Sequence, residues 1–442
     1  MRILIKNAWI LTMNEQMEQF QDGYLMVDGE KIIEAGAMDL LPKDMTYDKV
    51  INARGAILLP GMVNTHTHIG MIPFRSLGDD YSDRLRRFLF PLENECMNER
   101  LAYTSGKYAI AEMQLAGVTT FFDMYYFEQQ LAEAAEEMSS RGLLAETVID
   151  SVTVDAEEPM GGLQYAKSFL PKWQENKRIK ASIAPHAPYS NTIEVLKQAD
   201  LLSKKYNVPW MMHISEMDFE INKYREERNQ TPIEFLEEIG VLSARLVATH
   251  CIHLSDNDIQ LLKKYDVKVA HCIGANTKSA KGVARVQDLL SAGVTVGLGT
   301  DGPSSGNTLD LFSQMRLFAN FHKTILQDRS AFPAQEIVEL ATIGGAKVLG
   351  MEKQIGSIEA GKQADFILVE TDSINMFPIF DPYSALVYSA NAGNVRDVFI
   401  AGKQVVEEKK LVDFDEAQLR RELAEAMEQC GFKTKALKAM ES

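Results

Sequence analysis

Two histidines separated by one residue follow an apolar run near residue 60. The run Leu58–Val63 leads through Asn64 and Thr65 to His66 and His68. Because side chains on a strand alternate between its two faces, His66 and His68 project from the same face of an extended segment. Two imidazoles on one face at the end of a strand can bind one divalent metal ion. An isolated His-x-His is more often a polar turn, so the interpretation depends on the rest of the chain.

Further apolar runs predict the strands that must position such a site. Seven more are indicated: Val118–Asp123, Leu143–Asp150, Lys180–Pro185, Pro209–His213, Leu246–His250, Lys268–His271 and Val294–Thr300. With the strand before His66 they total eight, the number that closes a (β/α)₈ barrel, where reactive groups lie at the carboxyl ends of the strands. Six of the eight histidines and one aspartate fall at these ends: His66, His68, His186, His213, His250, His271 and Asp301.

The residues at these ends predict a metal-dependent hydrolase. His213 would be a third imidazole ligand, and Asp301 a carboxylate ligand that also accepts a proton from water. Three imidazoles and a carboxylate suit Zn²⁺, with Fe²⁺ or Mn²⁺ as alternatives. The ion would lower the pKa of a bound water to about 7. Glu216, three residues beyond His213, could exchange a proton with a substrate. Singly, each residue has a structural explanation, such as a helix cap or a solvated loop acid.

The distribution of apolar and turn residues along the chain predicts a large domain flanked by β segments at both ends. Residues 1–57 and 354–442 show short strands and turns, and the latter ends in helical sequence. Residues 58–353 alternate apolar strands with amphipathic helices. We therefore predict an α/β fold, a distorted barrel over 58–353, beside a small composite β-sandwich built from 1–57 and 354–442 with a terminal helix.

Composition excludes several classes of partner. Lys and Arg number 46 against 62 Asp and Glu, which gives a net charge of −16. A nucleic-acid backbone or an anionic membrane surface requires a basic face, so neither partner is expected. The four cysteines form no CxxC pair and no run of the chain is apolar enough to cross a membrane, which favours a reduced cytoplasmic location.

Taken together, the motifs resemble those of the amidohydrolase superfamily, in its branch of methylthioadenosine/S-adenosylhomocysteine deaminases and triazine chlorohydrolases. The resemblance rests on segments that run from Pro60–His68 and His213–Glu216 through Thr249-His250 and Gly299–Gly302 to Gly356–Asp365. It implies a distorted barrel with a composite β-sandwich, one Zn²⁺ or Fe²⁺ ion, and hydrolysis at an aromatic carbon.

The resemblance also implies a role for each matching residue. His66, His68, His213 and Asp301 would be the metal ligands. His250 would position the metal-bound hydroxide and stabilise the tetrahedral intermediate. Glu216 would protonate the ring nitrogen beside the attacked carbon. Asp301 would then carry the water proton toward the leaving ammonia, so Glu216, His250 and Asp301 are the predicted catalytic residues.

Other matches and departures concern the substrate. Glu93 resembles the glutamate that binds ribose hydroxyls, although it could instead be an acid on a helix surface, and His186 resembles the histidine that contacts the purine. Arg84 stands where nucleoside deaminases of the branch carry tryptophan, so we expect it to influence substrate choice. Residues 142–177 lack the arginine that binds the carboxylate of homocysteine, which disfavours S-adenosylhomocysteine. Cys272 replaces the asparagine of the family's His-Asn-Pro motif, as a packing residue or, alternatively, a reactive thiol.

These observations favour a metal-dependent deaminase that releases ammonia from an adenine-type nucleoside such as methylthioadenosine or deoxyadenosine. The alternative is a deaminase or dechlorinase of a free N-heterocycle, such as guanine, a pterin or a triazine. An inactive homologue used as a binding protein would have lost a proton-handling residue, and all three are present. The resemblance further implies a homo-oligomer, a dimer or a tetramer.

Overall fold

The computed structural model describes residues 1–441, which fold into two compact units. Unit 1 comprises Met1–Thr65, Glu112–Thr120 and Asp310–Asp413. Unit 2 comprises His66–Ala111, Phe121–Leu309 and the chain from Phe414 onward. The segment boundaries predicted at residues 57 and 353 stay predictions.

Strands occupy the first 60 residues of unit 1: β1 (Arg2–Leu11), β2 (Gln19–Asp28), β3 (Lys31–Ala37), β4 (Lys49–Asn52) and β5 (Ile57–Pro60). Their alternating or continuous apolar residues provide a buried face, while Asp28 and Gly29 allow the tight turn between β2 and β3. The first strand is central to this region, because it pairs antiparallel with β2 and parallel with both β4 and β5.

All eight strands predicted in the middle of the chain are present: β6 (Met62–Thr67), β7 (Val118–Tyr125), β8 (Arg141–Val148), β9 (Ile179–Pro185), β10 (Trp210–Ile214), β11 (Leu246–His250), β12 (Lys268–His271) and β13 (Val296–Leu298). Their residues are almost entirely buried, as expected for strands covered on both faces. They form two four-stranded sheets, β6-β7-β8-β9 and β10-β11-β12-β13, rather than one closed ring.

A backbone hydrogen bond spans each of the two joins between these sheets. Beyond β9, the carbonyl of His186 accepts from the N–H of His213 at 3.0 Å. Beyond β13, the N–H of Asp301 donates to the carbonyl of His66 at 3.1 Å. Both bonds involve residues predicted to do chemistry, so the interruptions in strand pairing fall at the candidate site.

The last strands return to the sheet of unit 1: β14 (Phe366–Val369), β15 (Val395–Ile400), β16 (Lys403–Glu407) and β17 (Lys410–Leu411). They extend it in the order β17-β16-β15-β14-β5-β1-β2-β3, with β4 pairing on β1. The predicted pairing of the two chain ends in one sheet is therefore observed, whereas the division of that region into a sandwich stays a prediction. The apolar side chains between these strands, such as Ile5, Leu25, Phe366 and Phe399, form the core of the unit.

Helices connect the strands: α1 (Phe90–Cys96), α2 (Glu99–Leu115), α3 (Glu128–Glu137), α4 (Gly162–Trp173), α5 (Ile193–Tyr206), α6 (Asp218–Arg228), α7 (Pro232–Glu238), α8 (Asp256–Lys264), α9 (Ile273–Lys278), α10 (Val286–Ala292), α11 (Leu311–Leu326), α12 (Ala334–Ala341), α13 (Ile343–Val348), α14 (Pro382–Ser384), α15 (Glu416–Gln429) and α16 (Phe432–Glu441). Several begin at a side-chain cap, because the first N–H groups of a helix lack partners inside it. Ser255, for example, accepts from the N–H of Asp258 at 3.1 Å. Within residues 1–441, no helix combines the length and the apolar character that crossing a membrane requires.

Candidate metal centre and active site

The carboxyl ends of the strands of unit 2 bring the predicted ligands together. His66 lies in β6, His68 directly follows it, and His213 lies near the end of β10. The three rings offer nitrogen atoms that all lie within 4.8 Å of one another. The Nε2 atoms of His66 and His213 are separated by 3.3 Å. Such convergence of imidazole nitrogens on one point is the geometry that a metal ion requires.

Asp301 completes this cluster from the turn after β13. Its Oδ1 lies 3.2 Å from Nε2 of His68 and 3.7 Å from Nε2 of His66. The N–H of Gly302 donates to the same oxygen at 2.6 Å. The structure thus brings together all four residues that the sequence predicts as ligands.

The outer nitrogens of two ligand rings are held by neighbouring groups. Nδ1 of His68 is hydrogen-bonded to the carbonyl of Met124. Nδ1 of His66 lies 3.0 Å from the sulfur of Met211. Contacts of this kind fix the ring orientation and leave Nε2 to face the ion, which is the usual arrangement around a bound metal. The residues present therefore fit a divalent ion such as Zn²⁺.

Burial controls the charge of the cluster. It lowers the pKa of His66 to about 4, and it lowers that of His213 well below the usual value with help from the neighbouring rings. For His68, burial is outweighed by the hydrogen bond and charge of Asp301, which raise the pKa to about 9. Burial likewise raises the pKa of Asp301, but hydrogen bonds from His66 and His68 reverse this and hold it well below its usual range. A divalent cation would take the place of the proton that His68 and Asp301 share.

The backbone turns sharply where the strands end. Ser215, His250, Cys251 and Asp301 have φ values of 53°, 72°, 50° and 59°. This left-handed conformation costs a residue other than glycine about 1–2 kcal/mol. Strained residues of this kind concentrate at functional sites, where the surrounding structure holds them. Here the turns place His250 and Asp301 at the rim of the strands.

His250 and Glu216 lie beside the ligand cluster. The ring of His250 stacks on that of His213 with centroids 5.3 Å apart. Its Nδ1 donates to the side-chain oxygen of Asn276 at 2.9 Å, and its Nε2 lies 3.5 Å from Oε1 of Glu216. The sequence did not single out Asn276, although its position five residues after His271 on a short helix was the available signal.

Glu216 has a half-buried cationic partner that the sequence did not reveal. Nζ of Lys281 lies 2.5 Å from Oε1 of Glu216. Burial raises the pKa of Glu216, but His250 and Lys281 outweigh it, so the pKa is lowered and the carboxyl is ionised. No periodicity or motif links two residues 65 positions apart, so only the fold reveals this pair.

Glu93 is buried on α1 and is hydrogen-bonded to a tyrosine. The hydroxyl of Tyr125 donates to Oε1 of Glu93 at 2.7 Å. Burial raises the pKa of Glu93 to about 7, against the opposing effects of Tyr125 and the nearby charge of His68. The charge of His68 acts on this carboxyl, so Glu93 lies near the histidine cluster. Tyr125 was not predicted, although it ends β7 in the way that the other site residues end their strands.

His186 also borders the cluster. Its ring centroid lies 5.0 Å from that of His213, and its Nδ1 is 3.1 Å from the hydroxyl oxygen of Ser190. Burial lowers its pKa to about 4, so the ring is neutral at pH 7. A neutral imidazole at this position can donate or accept one hydrogen bond.

Arg84 is engaged by its own segment of chain. Its Nε donates to the carbonyl of Leu77 at 2.7 Å, and its Nη2 lies 3.5 Å from Asp79. Asp79 also accepts from Lys278 at 2.9 Å and from Asn307 at 2.7 Å. Arg84 is therefore held within its own segment, and its influence on substrate choice stays a prediction.

Cys272 packs between strands. It is fully buried. Its sulfur packs so closely against Gly299 that a Cβ atom at that position would lie only 3.0 Å from it. Burial raises the pKa of the thiol well above its usual value. A protonated, enclosed thiol is unreactive, which supports the packing interpretation over the reactive one.

Comparisons with known proteins agree with this geometry. The model of the Amidohydrolase family matches residues 57–405. A 5-methylthioadenosine/S-adenosylhomocysteine deaminase of Syntrophus aciditrophicus is 36% identical over 422 residues, which cover 95% of each chain. A 5'-deoxyadenosine deaminase of Methanobrevibacter smithii is 37% identical over 430 residues, or 97% of this chain and 98% of that protein.

Among solved structures, an adenosine deaminase from Xanthomonas campestris with bound zinc superposes with a TM-score of 0.94. It is 29% identical, and the match covers 97% of this chain and 98% of that one. The overall architecture described above is therefore shared along nearly the whole chain, and the resemblance inferred from the motifs is confirmed at the level of the family.

Proposed function

The chain belongs to the amidohydrolase family, and from this premise we propose that it is a hydrolytic deaminase that releases ammonia from an adenine-type nucleoside. One observation carries the proposal: an ionised carboxyl, Glu216, lies beside His250 and the histidine cluster. Deamination requires a group that moves protons to a ring nitrogen and to a departing amine, and a carboxylate next to the metal site does this in deaminases generally.

The metal would be held by His66, His68, His213 and Asp301. The nitrogen-rich ligand set favours Zn²⁺, and Fe²⁺ or Mn²⁺ would also be accepted. A bound ion would act as a Lewis acid that increases the acidity of the attacking water. The zinc bound in the related Xanthomonas campestris structure supports a divalent metal ion in this protein.

The side chains divide the proton transfers between them. Glu216 takes the first proton of the attacking water and passes it to the ring nitrogen beside the attacked carbon. His250 hydrogen-bonds the water oxygen and holds it in position for attack. Asp301 takes the second proton from the new hydroxyl group and gives it to the amine. The C–N bond breaks, ammonia leaves, and the ring retains a carbonyl oxygen, so one water is consumed for each ammonia released.

The rest of the site supports a nucleoside without an amino-acid tail. Glu93 would accept hydrogen bonds from ribose hydroxyls, with Tyr125 fixing one of its oxygens. His186 would contact the purine. Residues 142–177 contain no arginine to bind the carboxylate of homocysteine. Methylthioadenosine or deoxyadenosine is therefore preferred over S-adenosylhomocysteine as the substrate. The Methanobrevibacter smithii relative is named for 5'-deoxyadenosine, and the Syntrophus aciditrophicus relative is named for both methylthioadenosine and S-adenosylhomocysteine.

We extend the proposal to the setting of the enzyme, a cytoplasmic homo-oligomer, either a dimer or a tetramer. All four cysteines are free thiols, which suits a reducing compartment. Light scattering on the purified protein tests the oligomer, and a mass corresponding to one chain would refute it.

Ammonia release from a panel of amino-substituted heterocycles tests the function. The zinc-loaded enzyme is assayed with methylthioadenosine, deoxyadenosine, S-adenosylhomocysteine, adenine, guanine and cytosine, and E216Q serves as the inactive control. Turnover of the two small nucleosides with S-adenosylhomocysteine poor supports the proposal. Turnover of free bases alone would replace it with the N-heterocycle alternative. Silence across the panel, with metal bound, would refute deamination of these substrates.

A further inference from the structure

Lys281 is a half-buried charged group that takes no part in the proton transfers proposed for the site. It follows α9 by three residues, and its side chain is only 22% exposed. Its Nζ contacts Oε1 of Glu216, whose side chain is 14% exposed. Enclosing an ammonium and a carboxylate is costly unless they are paired, so the two must be considered together.

The lysine and the histidine that contact Glu216 are anchored at the same place. The N–H of Lys281 donates to the backbone carbonyl of Asn276 at 3.0 Å, while the side-chain oxygen of Asn276 accepts from Nδ1 of His250 at 2.9 Å. Nε2 of His250 in turn lies 3.5 Å from the oxygen of Glu216 that Lys281 contacts. A closed ring of contacts therefore joins Lys281, Asn276, His250 and Glu216, and Asn276 belongs to α9.

This ring distinguishes the two oxygens of the Glu216 carboxyl. Oε1 faces both Lys281 and His250. Among the described residues 1–441, none donates a hydrogen bond to Oε2. The backbone N–H of Glu216 donates to the carboxyl group of Glu220 at 3.0 Å, so both the backbone and the side chain of Glu216 are restrained. Oε2 is thus the oxygen left to exchange a proton with a substrate.

We propose that Lys281 is a positioning residue that orients the Glu216 carboxyl and keeps it ionised until substrate binds. The inference rests on the proposed deaminase function, because it concerns the same proton transfer. It means that Glu216 enters the reaction as a base: it must take a proton from the attacking water before it can give one to the ring. Lys281 supplies the charge that makes this resting state stable in a buried site.

The charges around Glu216 agree with this role. Groups from several elements face it: His186, Tyr189, Glu220, His250, Lys281 and Asp301. Glu220 and Asp301 are acidic and would favour the protonated form, and His186 is neutral. Lys281 is the cation of the set whose charge does not depend on titration near neutrality, since its pKa is raised by the same pair. Removing it would leave the interaction with His250 to offset the cost of enclosing the carboxylate.

The test uses the zinc-loaded full-length enzyme and three variants. Lys281→Met keeps the length of the side chain and removes the charge, Lys281→Arg keeps the charge, and Lys264→Met removes an exposed lysine that pairs with Glu237 at 2.8 Å. In K281M the acid limb of the kcat profile, measured with saturating nucleoside so that the ionisation of Glu93 does not enter, should move to higher pH by about one unit or more, because an opposite charge at this distance shifts a carboxyl pKa by that amount. We expect kcat to fall about tenfold with KM changed less.

The same experiment separates Lys281 from a merely structural residue. K281R should restore the pH profile, K264M should leave it unchanged, and all variants should retain zinc. An acid limb that stays in place in K281M, or that is not restored in K281R, overturns the proposal.

A spectroscopic readout keeps the inference testable if no nucleoside is turned over. The infrared carboxylate band of Glu216 is identified as the band missing in E216Q and is then titrated in wild type and K281M. Protonation at a higher pH in K281M supports the role of Lys281, even if the wild-type enzyme fails the substrate panel. Identical titrations in the two proteins would refute it, whatever the substrate.

Discussion

The strand ends and the segment Arg75–Leu89 are held in unit 2 by different kinds of force. At the strand ends, backbone hydrogen bonds between neighbouring strands fix residues that are almost fully buried, such as His66 and His213. The segment Arg75–Leu89 buries Leu77, Phe88 and Leu89, but its charged side chains retain some exposure, with Asp79 pairing to Arg84 and Lys278. Arg87 also donates to the carbonyls of Ala439 and Met440 near the end of α16.

This difference suggests a division of labour. Groups that transfer protons must be placed to within a fraction of an ångström, and strand ends provide such rigidity. A segment held by partly exposed ion pairs can change its contacts at little cost, since each such pair contributes only about 0–1 kcal/mol. We therefore expect substitutions at strand ends to affect chemistry and substitutions in the segment to affect substrate affinity.

The largest effect is expected where the strand ends hold the metal. His213→Ala should remove one of three converging imidazoles and lower both zinc content and turnover, the latter by about 10³-fold or more, since the ion contributes several kcal/mol to the transition state. Metal analysis and ammonia release measure the two quantities. His253→Ala, which changes a partly exposed histidine paired with Asp218, is the matched control. Normal zinc content in H213A would contradict the ligand assignment.

A smaller effect is expected at Glu93, which lies between the two regions. Its pKa is raised to about 7, so the ionised fraction that can accept ribose hydrogen bonds increases as the pH rises through about 7. KM for a nucleoside should therefore fall several-fold between about pH 6 and pH 8. Glu93→Gln should raise this KM about tenfold, because a hydrogen bond to a charged group is lost, and should abolish its pH dependence.

The control for Glu93 is a free base, which has no ribose. Its KM should be the same in wild type and E93Q. If the nucleoside KM keeps its pH dependence in E93Q, another group is responsible and the ribose assignment is wrong.

The smallest effect on the kinetic constants is expected from substitutions in the segment Arg75–Leu89. Asp79→Asn weakens the contacts with Arg84 and Lys278 without removing the hydrogen-bonding capacity of the side chain. We expect KM to rise about two- to fivefold with kcat unchanged, in line with the modest worth of partly exposed ion pairs. Asp288→Asn, at an exposed pair with Arg285, is the control. If D79N lowers kcat as much as a strand-end variant does, the proposed difference between the two regions is wrong.

The chemistry of the site was predictable because its residues share a local rule. Each predicted ligand lies at or just beyond the carboxyl end of an apolar run, so strand recognition alone brought His66, His213 and Asp301 together. The family resemblance then supplied roles for Glu216 and His250. The eight strands could be predicted for the same reason, because the sequence of a buried strand is a short continuous apolar run.

The contacts that support these residues were not predictable. Lys281, Asn276 and Tyr125 meet their partners only through the fold, at sequence separations that no pattern encodes. Arg84 was singled out for its position in a motif, but its observed partners, Leu77 and Asp79, lie in its own segment. The arrangement of the eight strands in two sheets also depends on long-range geometry and not on periodicity.

The left-handed residues at the strand ends imply a conflict between heat resistance and turnover. Their strain, about 1–2 kcal/mol each, is a sizeable share of the roughly 5–15 kcal/mol by which a folded protein is stable. Ser215 illustrates this, because its φ is 53° and its buried hydroxyl has no hydrogen-bond partner among the described residues. Glycine there should raise the melting temperature. Selection for thermostability alone would therefore favour substitutions at the strand ends. Such substitutions would loosen the turns that orient His250 and Asp301.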